Sequence, residues 1–143
     1  MPFKPAPVSL TQLVHDRKAR FRQQLESSEY DAIIVSSPES VLYATGYESM
    51  PARLKKAYYY AAIITAERCA MVVPSADFAP AIDAGVAPDD ITPFGTFFFS
   101  GESAANTLNV RHKDFDGALR EALTKVKGRR VLVEWNGIPP HRP

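Results

Sequence analysis

The sequence is poor in the residues that build cross-links and metal centres. Its one cysteine, Cys69, excludes an intrachain disulfide and a zinc site made of several thiolates. Its three histidines, His15, His112 and His141, stand far apart and form no tight ligand spacing such as His-Glu-x-x-His. Charge of either sign is not in excess. Seventeen basic and sixteen acidic residues leave a formal +1, so no long-range field recruits nucleic acid or an anionic membrane. No apolar run approaches the roughly 20 residues that cross a bilayer. Residues 1–8 hold Pro2, Pro5 and Pro7 and lack the apolar core of a signal peptide. They read as an extended arm, and the expected compartment is the cytoplasm. Gly-x-Ser-x-Gly is missing, and no glycine-rich loop follows the first apolar run. A nucleophile elbow and a dinucleotide or P-loop phosphate site are therefore unsupported.

What is present is the material of one domain. The 143 residues are 45% hydrophobic and 23% charged, an ordinary globular balance and enough chain for one core. Ser9 with Gln12 forms a capping-box pattern. It opens a helix to about residue 27, with Leu10, Leu13, Val14, Phe21 and Leu25 at helical spacing. Arg17, Lys18, Arg20 and Arg22 between them read as a solvated face. The β-branched run 31–36 reads as a buried strand. Ser37 as cap, Pro38 in the first turn and Gly46 as terminator define a short helix. The runs 57–65 and 69–73, separated by 66–68, predict a β-hairpin. A helix follows Pro74, capped by Ser75 or Asp77, with Phe78, Ala81, Ile82 and Gly85 inward. Residues 91–94 form a strand. The stretch 95–101 reads either as a continuing strand or as an aromatic loop, and 102–112 as loop. Asp114 caps an amphipathic helix carrying Phe115, Ala118, Leu119, Ala122, Leu123 and Val126, ended by Gly128. Residues 131–135 form a last strand.

Helices alternating with strands and one hairpin predict an α/β domain with a mixed β-sheet and helices on both faces. The carboxylates offer no metal nuclease, because the interior of the first strand, Ala32 to Val35, is wholly apolar. Asp89 and Asp90 read as a turn, Glu134 as a solvent-facing strand residue, and Cys69 as a small hydrophobe.

Residues 30–47, Tyr-Asp-Ala-Ile-Ile-Val-Ser-Ser-Pro-Glu-Ser-Val-Leu-Tyr-Ala-Thr-Gly-Tyr, resemble the opening of the creatinase and Xaa-Pro peptidase family. The likeness spans about residues 13–135. Ala61-Ala-Ile-Ile-Thr and Ala70-Met-Val-Val-Pro resemble that family's hairpin. The position of Ser40 is commonly asparagine in the family, a departure that argues against a polar role there. The resemblance implies a ribonuclease H-like motif, as in creatinase and prolidase N-terminal domains. It implies a non-catalytic domain, 9–136, that shapes a substrate site and makes dimer contacts. Residues 137–143, rich in proline, would begin a linker to a pita-bread catalytic domain. Two divalent ions, Mn, Co or Zn, would sit in that second domain, and the ligands that hold them have no match in this chain. The chain alone would be inactive, its parent a metal-dependent Xaa-Pro peptidase or related C–N hydrolase. Family members lend residues to the neighbouring active site from the loop after this motif. That makes Tyr47, Glu48 and Arg53 the substrate-contact candidates, with Arg53 suited to a carboxylate. Expected partners are the catalytic domain and a second copy, with no nucleic acid and no membrane. The alternative is a stand-alone small-molecule or protein binding module on the same scaffold.

Overall fold

The computed structural model describes residues 9–50, 59–95, 112–126 and 130–134. The N-terminal arm, the segment 51–58 with Arg53, the aromatic stretch beyond Gly95, Gly128, Trp135 and the proline-rich end lie outside the described residues.

Helix α1 spans Leu10–Glu26, and its first turn is capped by Ser9, whose hydroxyl accepts from the Gln12 amide. The capping box is only half made: the Gln12 side chain donates instead to Asp16 at 2.8 Å. Strand β1 is Ala32–Val35, and α2 is Pro38–Thr45. Ser37 caps α2, Pro38 fills its first turn, and Gly46 ends it in the left-handed region at φ 79°. A Cβ built on Gly46 would stand 2.8 Å from Val14 Cγ2, so glycine is also what lets α1 close onto α2. Strands β2 (Ala61–Thr65) and β3 (Cys69–Pro74) form the hairpin.

A 3-10 turn, Ser75–Asp77, leads into α3, Phe78–Asp83. Neither expected cap operates there: no side-chain cap bond is made. Ser75 donates to the Phe94 and Gly95 carbonyls, and Asp77 is taken up by Ser49. Gly85 is exposed, and Val86 takes the inward position. A second 3-10 turn, Pro88–Asp90, opens β4, Ile91–Phe94. Helix α4, Phe115–Thr124, is capped by Asp114 as expected but stops before Val126, with Lys125 at its end. Strand β5 is Val131–Val133.

The five strands lie in the order β4-β3-β2-β1-β5. Strands β1 and β5 pair in parallel, as do β3 and β4, and β2 runs against both of its neighbours. Four carboxyl ends and the amino end of β2 therefore share one edge of the sheet. Pro93, which has no N–H to donate, is tolerated because β4 is an edge strand.

The continuous apolar runs follow from a sheet covered on both faces. Ala62, Ile64, Met71 and Val73 join Leu25, Val41 and Ala44 of α1 and α2 on one face. Ala61, Ile63, Ala70 and Val72 meet Ala118 and Ala122 of α4 on the other. Ile63, Met71, Val72 and Val73 are wholly buried, each contributing about 1.5–3 kcal/mol. Strand β5 is an edge rather than a buried strand, with Leu132 and Val133 both more than 40% exposed.

Candidate functional site at the carboxyl edge of the sheet

In open α/β sheets the carboxyl ends of the strands are where chain turns bring polar groups together. Two clusters form there. The first is centred on Glu134, just past β5. Its Oε2 accepts from the Ser36 and Ser37 amides at 2.8 and 2.9 Å. Its Oε1 accepts from the Ser37 and Ser40 hydroxyls at 2.8 and 2.7 Å. The carboxylate thus occupies the amino terminus of α2, where free amides and the helix dipole favour negative charge. Partial burial by itself pushes its pKa up. The two amide and two hydroxyl hydrogen bonds together outweigh it and hold the pKa at about 2. This overturns two readings of the sequence. Glu134 is not explained by solvent exposure, and Ser40 does have a polar role. The signal could not be read locally, because Ser40 and Glu134 are 94 positions apart.

The second cluster gathers residues that follow α2, precede β2 and follow β3. The Thr45 hydroxyl donates to Val41 O at 2.7 Å and accepts from the Tyr47 amide at 3.0 Å, fixing the chain as it leaves α2. Tyr47 is thereby turned inward and is only 2% exposed. Its ring meets Tyr60 edge to face, with centroids 6.1 Å apart. Ser49, fully buried, donates to the Asp77 carboxylate at 3.4 Å. Burial, then the negative charges of Glu39, Asp77 and Glu48, push the Tyr60 hydroxyl up to about 12. It stays protonated and able to donate. Glu48 is exposed.

Of the three substrate-contact candidates, the structure thus places Tyr47 in the core and Glu48 at the surface beside it. Arg53 lies outside the described residues. Ser49 and Tyr60 carry no motif, and Asp77, expected as a helix cap, instead meets Ser49 across 28 positions.

His112 is paired with Phe94 in a single parallel bridge beyond β4. Its Nε2 donates to Glu121 at 2.6 Å. That hydrogen bond, with Lys125 nearby, holds the Glu121 carboxyl below its usual range. His15 stands exposed on α1. No group of three or more histidine, cysteine, aspartate or glutamate side chains among the described residues could hold a metal ion. No helix among the described residues is long and apolar enough to cross a membrane.

The model of the creatinase/prolidase N-terminal domain matches residues 17–142. The chain belongs to that family. Among solved structures, this creatinase-type domain is similar to an Xaa-Pro aminopeptidase (aminopeptidase P) from Streptococcus thermophilus. The two are 16% identical over 86% of this chain and 93% of that one, with a TM-score of 0.45. It is similar to a proline dipeptidase from Streptococcus agalactiae, at 19% identity over 90% and 99% and a TM-score of 0.47. It also matches the creatinase/prolidase N-terminal domain of an X-Pro dipeptidase from Streptococcus pyogenes, at 17% identity over 83% and 99% and a TM-score of 0.47. No curated protein matches it.

Proposed function

We propose that this creatinase-type domain is the non-catalytic N-terminal part of a cytoplasmic, metal-dependent Xaa-Pro peptidase-like or creatinase-like hydrolase. Residues 9–136 form the domain. The chemistry belongs to a pita-bread domain joined through the linker that begins at 137–143. The domain shapes the substrate site of that partner and contributes to a homodimer. The observation that carries this reading is the family match across residues 17–142.

The carboxyl-edge cluster gives the proposal its residues. Ser49 and Tyr60 flank the segment 51–58 and are both buried. Each has a packed or hydrogen-bonded neighbour, Asp77 for Ser49 and Tyr47 for Tyr60. Fixed residues at these two positions support the reading, because precision at a site depends on the rigidity beneath it. Arg53 within it would bind a substrate carboxylate through its planar fork, and Glu48 would border the same entrance.

The test is steady-state kinetics of the full-length enzyme on an Xaa-Pro dipeptide. Arg53→Ala lowers kcat/KM about ten- to a hundred-fold, the effect of losing one charge-assisted contact of roughly 1.5–3 kcal/mol. Arg53→Lys recovers part of the loss. Unchanged kinetics in both variants would remove Arg53 and its segment from the substrate site.

A further inference from the structure

On the opposite edge of the sheet, α1 crosses the β2–β3 turn and leaves a cavity of about 200 Å³. Ile64, Cys69 and Val86 line it, and three cations, Lys18, Arg22 and Arg68, stand around it. Lys18 and Arg22 are four apart on α1 and so share one helix face.

The three cations are not equally free. Arg68 is bonded to the Asp90 carboxylate and braces the wall. Among the described residues Arg22 makes one long side-chain contact, 3.5 Å, to the Glu67 carbonyl, which leaves most of its five N–H donors unspent by them. Lys18 has no hydrogen-bond or ion-pair partner among the described residues and is half-buried. The acids that line the cavity are Asp90, already bonded to Arg68, and Glu67, which is exposed. Gly85, at φ 90°, also lines the cavity, and a Cβ built there meets nothing within 4 Å.

We infer that this cavity binds a small organic anion, its carboxylate on Lys18 and Arg22 and its apolar tail against Ile64 and Val86. An ammonium and a guanidinium with unspent donors suit an oxyanion, and the apolar wall favours an organic acid over a bare inorganic ion. Within the basic run of α1, Arg17 packs its guanidinium 5.0 Å over the Tyr43 ring, while Arg20 is exposed.

The probes are isovalerate, its uncharged amide isovaleramide, and inorganic phosphate, each titrated into the isotopically labelled 143-residue chain and followed by amide chemical shifts. The expected result is saturable binding of isovalerate at about millimolar affinity, with shifts confined to Lys18, Arg22, the β2–β3 turn and Gly85–Val86. Isovaleramide and phosphate bind at least about ten-fold more weakly. Lys18→Met, which keeps the apolar stem, and Arg22→Ala each weaken isovalerate about ten-fold. Arg20→Ala, on the same helix but away from the cavity, leaves binding unchanged. Phosphate binding as tightly as isovalerate would overturn the organic-anion assignment. So would the absence of saturable binding, or isovalerate affinity indifferent to both Lys18→Met and Arg22→Ala in folded protein.

Discussion

Replacing Glu134 by glutamine removes one charge and alters almost nothing in shape, so it isolates what the carboxylate does. In the folded chain this side chain accepts four hydrogen bonds, from the Ser36 and Ser37 amides and the Ser37 and Ser40 hydroxyls. An amide in its place has one acceptor oxygen, and its NH2 group faces donors. Converting the fall in pKa from 4.5 to about 2 in full would give roughly 3 kcal/mol at neutral pH. The side chain is partly solvated, and screening reduces this to about 2 kcal/mol. Glu134→Gln is expected to lower Tm at pH 7 by about 5–10 °C for a chain of this length. The folded pKa lies below the unfolded one. The contribution is therefore complete above pH 4.5 and disappears as pH falls towards 2. Thermal melts of both proteins at pH 7, 5, 4 and 3 measure it, and the gap should close progressively below pH 4.5. Equal melting temperatures at pH 7, or a gap that is undiminished at pH 3, would refute the assignment of this carboxylate as an ionised clasp between β5 and α2.

Gly46→Ala is expected to cost about 1–3 kcal/mol in urea unfolding, from the positive φ and the 2.8 Å approach to Val14 Cγ2. Adding Val14→Ala should recover the clash part of that loss and leave the backbone part. Truncation from Arg130 onward removes β5, the Glu134 clasp and the Asp31–Arg130 backbone bond. It should destabilise the domain by about 3–5 kcal/mol, chiefly through the clasp and lost ladder rather than through apolar burial. An unchanged denaturation midpoint would show that β5 does not belong to the folding unit.

The parts of the fold legible in the sequence are those set by near neighbours. Ser37-Pro38 and Gly46 bound α2, Ser9 opens α1, and Asp114 opens α4, because caps and turns act over three or four residues. The alternation of two cores on either side of β2 and β3 follows from strand period alone. What was not legible depends on where distant strands meet. Nothing local in 131–133 says that β5 lies parallel beside β1, and that pairing is what carries Glu134 to Ser37 and Ser40. The expected caps at Ser75 and Asp77 failed for the same reason. Both side chains are claimed by other parts of the fold, Ser75 by the end of β4 and Asp77 by Ser49. The family resemblance, by contrast, was carried by contiguous motifs in 31–47 and 61–74, and the match to residues 17–142 agrees with it. Tyr47 was singled out from the same motif, but its burial depends on Tyr60, thirteen positions on.

The central proposal is that this domain shapes a substrate site and does not supply the chemistry. The most direct measurement compares the purified 143-residue chain with the proposed full-length enzyme in hydrolysis of an Xaa-Pro dipeptide, with Mn2+, Co2+ or Zn2+ added. The account predicts turnover by the full-length enzyme, abolished by chelator, and none by the chain alone at any metal concentration. Metal-dependent turnover by the isolated chain that survives repurification would contradict it.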